Sequence, residues 1–313
     1  MSTILITGGT GLVGSALTPL LVALGHQVII VSRTPKAPNE KNISYIAWNV
    51  KAQTIDDKAI AKADYIIHLA GAGVADKKWT EERKKEIVES RTESSTFLIE
   101  ALKQTPNKVK AVISASAIGW YGDDKNLKSK KKEFTEEDSA DSLFLGETCR
   151  LWEESINPVE QTGIRLVKLR LGIVLSNDGG ALAEFKKPIQ FGIAGILGSG
   201  KQVVSWIHIE DLCRIFMYAM ENETLRGAYN AVAPTPVRNK ELTLTLAQKM
   251  RGRFFIPLHV PAFVLKLMLG EMSVEVLKSA TVSYKKIQAA GFSFLYPTIV
   301  VALEDLIREE RQR

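Results

Sequence analysis

The first part of the chain alternates short, β-branched apolar runs with longer amphipathic segments. The apolar runs predict strands at residues 3–7, 27–33, 65–71 and 111–116, and the segments between them predict helices at 12–25 and about 80–103. Alternation of this kind is typical of a parallel sheet covered by helices on both faces.

The alternation continues in the second half, with a strand predicted at 165–175 and a helix at 208–220. The region 179–206 is rich in glycine and irregular, and the stretch 251–291 predicts mostly helix. We therefore expect an α/β fold with a Rossmann, doubly wound parallel sheet over residues 1–235, including an irregular substrate-side insert at about 179–206. A smaller, mostly helical C-terminal lobe is expected over 236–313.

The stretch "TGGTGLVG" directly follows the first strand and opens the first helix. Gly8, Gly11 and Gly14 have the spacing that lets a turn tighten, a pyrophosphate approach the backbone, and a helix pack on a strand. The helix start also offers free N–H groups and a partial positive charge to phosphates. The pattern predicts a dinucleotide site at these glycines and at the intervening Thr10, Leu12 and Val13.

The end of the second strand indicates which dinucleotide binds. An NAD site usually has an acidic residue there for the ribose 2′-hydroxyl, whereas this strand ends in Ser32 and Arg33. An arginine attracts a 2′-phosphate, so the sequence predicts NADP(H) as cofactor. The alternative is a surface arginine without a ligand role.

Composition and charge exclude several classes of protein. Apolar residues make up 45% of the 313 and charged residues 24%, as in ordinary globular chains. No apolar run has membrane-spanning length, and the N-terminus lacks the features of a signal peptide. The two cysteines, Cys149 and Cys213, suggest neither a metal site nor a disulfide framework. We therefore expect a cytoplasmic protein with no bound metal and no membrane partner.

The net charge of +6 raises the question of a polyanion partner, because lysines cluster in residues 125–138. Acidic residues follow directly, and no nucleic-acid motif accompanies them. The segment is therefore interpreted as a solvated loop, and no nucleic-acid partner is expected.

Together with the glycine turn, the motifs "HLAGAGV", "SASAIGWYG" and "SWIHIEDL" resemble those of the extended short-chain dehydrogenase/reductases. "HLAGAGVADKKWTEERKKEIVESR" (68–91) and "KIQAAGFSFLYPTIVVALEDL" are similar to an atypical branch, the YfcH-like "epimerase family" with its distinctive C-terminal region. The resemblance implies a Rossmann core with an NADP-type site and a homodimer. It implies a small-molecule substrate of carbonyl or sugar-nucleotide type without naming one.

In that wider family a serine or threonine, a tyrosine, and a lysine four residues after the tyrosine carry out proton transfer. The resemblance aligns Ser116 with the serine, Leu145 with the tyrosine and Cys149 with the lysine, so the Tyr-x-x-x-Lys pair is missing. The remaining candidates for catalysis are Ser116 and Tyr121. The alternative for Tyr121 is a wall of the substrate pocket.

Arg91 lies on the apolar stripe of the helix at 80–103, between Ile87 and Ser95. A charge there needs a partner, either a ligand anion or an acid such as Glu86 or Glu89, unless the side chain snorkels to the helix edge. We expect a ligand role for Arg91. The other expected cofactor contacts are Leu69, Ala70, Gly71, Glu86, Ser114, Leu171 and Ile173.

These features favour an NADP(H)-dependent oxidoreductase, or an enzyme like the nucleotide-sugar epimerases, that lacks the usual proton-transfer pair. The alternative is an NADP(H)-binding sensor or regulatory protein with weak or no catalysis, because a glycine turn fits either function equally well.

Overall fold

The computed structural model describes residues 1–34, 41–127 and 132–312. Its strands, in chain order, are β1 Thr3–Thr7, β2 Gln27–Ser32, β3 Ile43–Asn49, β4 Thr54–Ile55, β5 Tyr65–His68, β6 Ala111–Ala117, β7 Arg165–Leu171, β8 Ile173–Leu175, β9 Ile193–Leu197, β10 Val203–Val204, β11 Trp206–His208, β12 Gly227–Ala231, β13 Val237–Arg238 and β14 Ile256–Val260. Its helices are α1 Leu12–Ala23, α2 Asp57–Lys62, α3 Glu81–Gln104, α4 Phe144–Ile156, α5 Ala181–Gln190, α6 Ile209–Glu221, α7 Asn239–Arg251, α8 Ala262–Leu269, α9 Ser273–Leu277, α10 Lys285–Ala289 and α11 Ile299–Gln312.

The main sheet has the order β12-β7-β6-β5-β1-β2-β3-β4 in the described part of the chain. Neighbouring strands are parallel except for β3 and β4. The chain adds strands on one side of β1 and then returns to add β5 on the other side. This reversal leaves a crevice at the carboxyl ends of β1 and β5, where ligands bind in folds of this type. The predicted Rossmann α/β fold is confirmed.

The central strands are mostly apolar because both of their faces are covered. In β1, Ile4 and Ile6 pack in one core cluster with Leu17 of α1 and Phe216 of α6, whereas Leu5 packs in another with α3 on the opposite face. The alternation along one strand therefore fills two separate hydrophobic layers.

Three predictions about the second half need correction. The strand predicted at 165–175 is divided at Gly172 into β7, in the main sheet, and β8, which pairs with β11. The region 179–206 contains α5, β9 and β10 rather than being irregular throughout. The stretch 251–291, predicted mostly helical, includes β14. Short strands of this kind are stabilised by pairing with distant segments, which no local periodicity reveals.

The smaller lobe has its own hydrophobic cluster, built from the insert and the C-terminal segment together. Leu182 and Ile189 of α5 pack with Leu242 of α7 and with Leu303 and Leu306 of α11. No helix in the described part of the chain combines the length and apolar character needed to cross a bilayer.

The lysine-rich segment is anchored on both sides by the C-terminal part of the chain. Asp124 accepts hydrogen bonds from Ser279 Oγ at 2.7 Å and from Thr281 Oγ1 at 2.8 Å. The backbone N–H of Phe134 donates to the carbonyl of Thr281 at 2.7 Å. Residues 128–131 of the segment lie outside the described residues.

His68, at the end of β5, is a buried part of the framework rather than a titrating group of the site. Its Nδ1 lies 2.7 Å from Thr7 Oγ1 and its Nε2 lies 3.1 Å from Ser95 Oγ, so the ring joins β1, β5 and α3. Burial lowers the pKa of this imidazole from 6.5 to about 4. The ring is therefore neutral at physiological pH.

This depressed pKa predicts a loss of stability in acid. Below pH 6.5 His68 becomes protonated in the unfolded chain, whereas in the folded chain it becomes protonated only near pH 4. The free energy of unfolding should therefore fall across this window by about 3 kcal/mol from this residue alone. Urea unfolding at several pH values should show that the stability difference between wild type and His68→Gln shrinks as pH falls. A difference that stays constant between pH 6.5 and 4 would contradict this assignment.

Candidate functional site

The glycine turn between β1 and α1 has no room for side chains. Gly8 has φ of +69°, and a Cβ on it would lie 2.7 Å from the carbonyl carbon of Leu69. A Cβ on Gly14 would lie 2.4 Å from the Cα of Gly9, so α1 could not pack against the turn. These two positions need glycine because backbone occupies the space that a Cβ would fill.

The N-terminus of α1 faces the crevice without a side-chain cap. Gly11 is the N-cap residue and supplies no side-chain bond, while its own N–H donates to the carbonyl of Gly8 at 3.0 Å. Thr10 and Gly11 are exposed, and Leu12 and Val13 are half-buried. The first N–H groups of a helix have no intrahelical acceptor. This end of the crevice therefore fits a pyrophosphate, as the sequence predicted.

Arg33 is exposed just beyond β2, and Ser32 holds the turn that leads from it. The hydroxyl of Ser32 donates to the carbonyl of Thr34 at 3.1 Å and accepts from its N–H at 3.2 Å. Arg33 and Lys77 both contribute to lowering the pKa of the Glu86 carboxyl, although Arg83 contributes most. Positive charge from both sides of the crevice therefore acts at this end.

Glu86 itself is committed to an ion pair. Its carboxylate accepts from Arg83 Nη1 at 2.6 Å, and Arg83 also donates to the carbonyl of Gly73. The N–H of Ala72 donates to Ser90 Oγ at 2.9 Å. These bonds fix the loop after β5, which includes the predicted contacts Leu69, Ala70 and Gly71, against the start of α3.

On the other side of the crevice, Ser116 belongs to a buried hydrogen-bond network centred on Glu153. Ser116 Oγ donates to Glu153 Oε1 at 2.8 Å. Arg170 approaches the same carboxylate with Nε at 2.7 Å and Nη2 at 3.1 Å. The three residues are 2%, 4% and 3% exposed, so a complete ion pair is enclosed beneath the crevice.

Tyr121 extends this network away from the crevice. Its hydroxyl donates to Asn230 Oδ1 at 2.7 Å and accepts from Arg170 Nη1 at 3.0 Å. The side chain has no exposed surface, and burial raises the pKa of its hydroxyl to about 12. Both hydroxyls are therefore engaged in hydrogen bonds inside the protein, Ser116 with Glu153 and Tyr121 with Asn230 and Arg170. Direct action of Ser116 or Tyr121 on a substrate stays a prediction.

Leu145 and Cys149, which the resemblance aligns with the tyrosine and lysine of the wider family, lie against the backbone of Gly119. A methyl group on Gly119 would lie 3.2 Å from Leu145 Cβ and 3.5 Å from Cys149 Sγ. Burial raises the pKa of the Cys149 thiol to about 12. Cys149 is therefore a protonated, buried thiol at neutral pH and not a nucleophile.

The remaining predicted cofactor contacts differ in accessibility. Ser114 is buried in β6, and its hydroxyl donates to the carbonyl of Ala115 at 3.1 Å. Leu171 is half-buried at the end of β7, and Ile173 is 38% exposed. The apolar contacts predicted at these two residues are thus sterically accessible.

Sequence reasoning missed the acid that organises the network. Glu153 lies on the buried face of α4 with Cys149, Trp152 and Ile156, at helical spacing. A charge on an apolar stripe was the signal that singled out Arg91, and the same signal was present for Glu153. Asn230, on β12, left no comparable signal, because its partner Tyr121 is 109 residues away.

Comparisons with known proteins agree with this geometry. A model described as the NAD dependent epimerase/dehydratase family matches residues 4–231, and a domain of unknown function, DUF1731, matches residues 260–306. The chain belongs to the NAD dependent epimerase/dehydratase family. Its fold is that of an atypical short-chain dehydrogenase/reductase, which confirms the predicted resemblance.

The similarity to other epimerase family proteins extends over essentially the whole chain. An epimerase family protein of Staphylococcus aureus (strain NCTC 8325 / PS 47) is 39% identical, covering 99% of this chain and 100% of its own. The epimerase family protein YfhF of Bacillus subtilis (strain 168) is 36% identical, covering 98% and 99%. The crystal structure of human epimerase family protein SDR39U1 (isoform2) with NADPH is 30% identical, covering 98% and 99%, with a TM-score of 0.85.

The enclosed ion pair of this epimerase-family protein predicts a strong contrast between two adjacent glutamates. Glu153→Gln leaves the Arg170 charge buried without a counter-ion, so we expect a loss of about 3–5 kcal/mol in the free energy of unfolding. Glu154→Gln removes only a partly exposed contact with Arg150 and should cost less than about 1 kcal/mol. Urea denaturation of the two variants measures both values. Equal losses would contradict a buried, charged Glu153.

Proposed function

We propose that this chain is an NADP(H)-dependent oxidoreductase that works without the tyrosine and lysine of its relatives. The proposal depends mainly on one observation, an exposed arginine just after β2, the strand next to β1, together with the uncapped N-terminus of α1 that follows β1. The first feature suits a 2′-phosphate and the second a pyrophosphate, so together they match both anionic groups of NADP(H).

Electrostatics supports the phosphorylated dinucleotide over NAD. At positions 32 and 33 the chain has Ser32 and Arg33, where an NAD site would have an acidic residue. Glu86, an acid near this end, is held by Arg83 at 2.6 Å and is therefore compensated. The NADPH in the structure of human SDR39U1 supports the same choice.

Among the described residues, the hydroxyls predicted to transfer a proton, those of Ser116 and Tyr121, are both engaged inside the protein. The nicotinamide supplies the hydride chemistry when it is bound. Ser116 and Tyr121 instead stabilise the floor of the crevice through Glu153, Arg170 and Asn230. We therefore infer that water or the substrate itself supplies the proton, at a rate about 10²–10⁴ below that of an enzyme with a positioned acid. Carbonyl compounds and sugar nucleotides are the substrate classes to test.

Arg33 should determine the preference between the two dinucleotides. Wild type is expected to bind NADPH more tightly than NADH, and Arg33→Ala should weaken NADPH roughly 10–100-fold by removing a charge-assisted hydrogen bond. The same variant should leave NADH affinity within about three-fold, because NADH has no 2′-phosphate. Nicotinamide fluorescence titration measures all four constants, with the exposed Lys51→Ala as a control. Tighter binding of NADH by wild type would contradict the assignment.

A second candidate function is an NADP(H) sensor, which the enclosed hydroxyls of Ser116 and Tyr121 favour.

The two functions differ in turnover. Purified protein is incubated with NADPH and a panel of carbonyl compounds and nucleotide sugars, and NADPH consumption is followed by absorbance. If the protein is an oxidoreductase, NADPH should be consumed slowly with one of the two substrate classes. The rate of Tyr121→Phe should then lie within about three-fold of the wild-type rate, because Tyr121 is not the proton donor. Tight NADPH binding without consumption across the panel would favour the sensor.

A further inference from the structure

Arg91 carries a buried positive charge that has no counter-ion among the described residues. The residue is 9% exposed, and its guanidinium carbon lies 4.9 Å from the ring centroid of Trp152. A Cβ on Gly71 would lie 3.1 Å from that carbon, so the guanidinium lies directly against the loop after β5. Its side chain makes one hydrogen bond within the described residues, from Nη1 to the carbonyl of Ile87 at 2.8 Å.

The acids that sequence reasoning offered as partners are bound elsewhere. Glu86 pairs with Arg83 at 2.6 Å, and Glu89 lies 3.6 Å from Lys85. Glu153, on the neighbouring helix α4, is taken by Arg170 at 2.7 Å. No carboxylate oxygen of the described residues lies within the 4.0 Å that would define an ion pair with Arg91.

An uncompensated charge in this setting is costly. Burial lowers the pKa of the Arg91 guanidinium, in the direction expected for a desolvated cation, yet its high intrinsic value keeps it charged. The Arg91 nitrogens that make no hydrogen bond within the described residues are not fully buried, so their N–H groups keep access to solvent. A guanidinium that is buried, accessible at its donors and unpaired is suited to bind an anion from outside the protein.

The topology separates this cation from the two anionic groups of a dinucleotide. Arg91 lies on α3, which follows β5, and it contacts α4, which follows β6. Arg33 follows β2, two strands from β5 in the order β6-β5-β1-β2, a separation of about 10 Å across the sheet. The uncapped start of α1 lies after β1, between them. With the 2′-phosphate at Arg33 and the pyrophosphate at α1, the dinucleotide has no further anion for Arg91.

We propose that Arg91 binds the carboxylate of a second ligand, so that the substrate is a carboxylate-bearing carbonyl compound or the matching hydroxy acid. This rests on the proposed function and names the substrate class of the same crevice. The Arg91 guanidinium is planar and lies close to both the ring of Trp152 and the backbone of Gly71. Its paired N–H donors match the two oxygens of a carboxylate. Arg91 thereby changes from a predicted cofactor contact to a determinant of substrate specificity.

The test uses pyruvate and its neutral amide, pyruvamide, as probes of nearly equal size. Thermal unfolding is measured with each probe, both for the protein alone and for the protein saturated with NADP⁺, which fills the other anion sites and permits no reduction. Millimolar pyruvate should raise Tm by about 2 °C in both forms, and pyruvamide should not. Arg91→Gln should abolish the pyruvate shift, Arg91→Lys should keep part of it, and the exposed Lys85→Gln on the same helix should keep all of it.

The outcomes separate this proposal from that of the cofactor. Equal shifts with pyruvate and pyruvamide, an unchanged pyruvate shift in Arg91→Gln, or no shift with pyruvate in wild type would overturn the carboxylate site. A loss of ten-fold or more in NADP⁺ affinity in Arg91→Gln would overturn it as well, by making Arg91 a cofactor ligand. Failure of wild type to bind NADP⁺ would sink the proposed function instead, while the measurement without dinucleotide still decides the role of Arg91. If Arg91→Gln does not fold, the comparison of the two probes on wild type and Arg91→Lys remains decisive.

Discussion

The enclosed ion pair between Glu153 and Arg170 is the interaction on which the organisation of this site depends. It joins α4 to β7 and, through Ser116, to β6. Arg170 extends the connection to Tyr121, whose other partner, Asn230, lies on the edge strand β12. One buried carboxylate thus links three neighbouring strands and a helix. Its removal would leave the Arg170 guanidinium buried without a counter-ion, so the members of the network depend on one another.

One half of the crevice is formed mainly by backbone groups and the other mainly by side chains. The dinucleotide half depends on backbone: glycines where a Cβ would collide with neighbouring main chain, and helix N–H groups left without a cap. The other half depends on side chains that satisfy one another. In such an arrangement the cofactor half can be retained while the proton-transfer half is rebuilt, because the backbone turn at Gly8–Gly14 needs none of the side chains on α4.

Positive charge is arranged differently in the two halves as well. Arg170 and Arg83 are paired with carboxylates and act as structural cations. Arg33 is exposed, and Arg91 is buried with no acid beside it in the described part of the chain. The distinction follows from partners rather than from residue type.

The sequence by itself determined the alternating fold and the glycine turn at Gly8–Gly14, because strand and helix periods and glycine spacing are local properties of the chain. The absence of the tyrosine and lysine is what the family resemblance implies. The sequence also identified Arg91 as a charge on an apolar face. Only the tertiary structure decided which charges found partners, since Glu153 and Arg170 meet across 17 residues and Tyr121 and Asn230 across 109. It engaged the hydroxyls of Ser116 and Tyr121 in internal hydrogen bonds and left Arg91 without a carboxylate partner among the described residues. Pairing depends on which side chains the packed helices bring within about 3 Å, and no pattern along the chain encodes that distance.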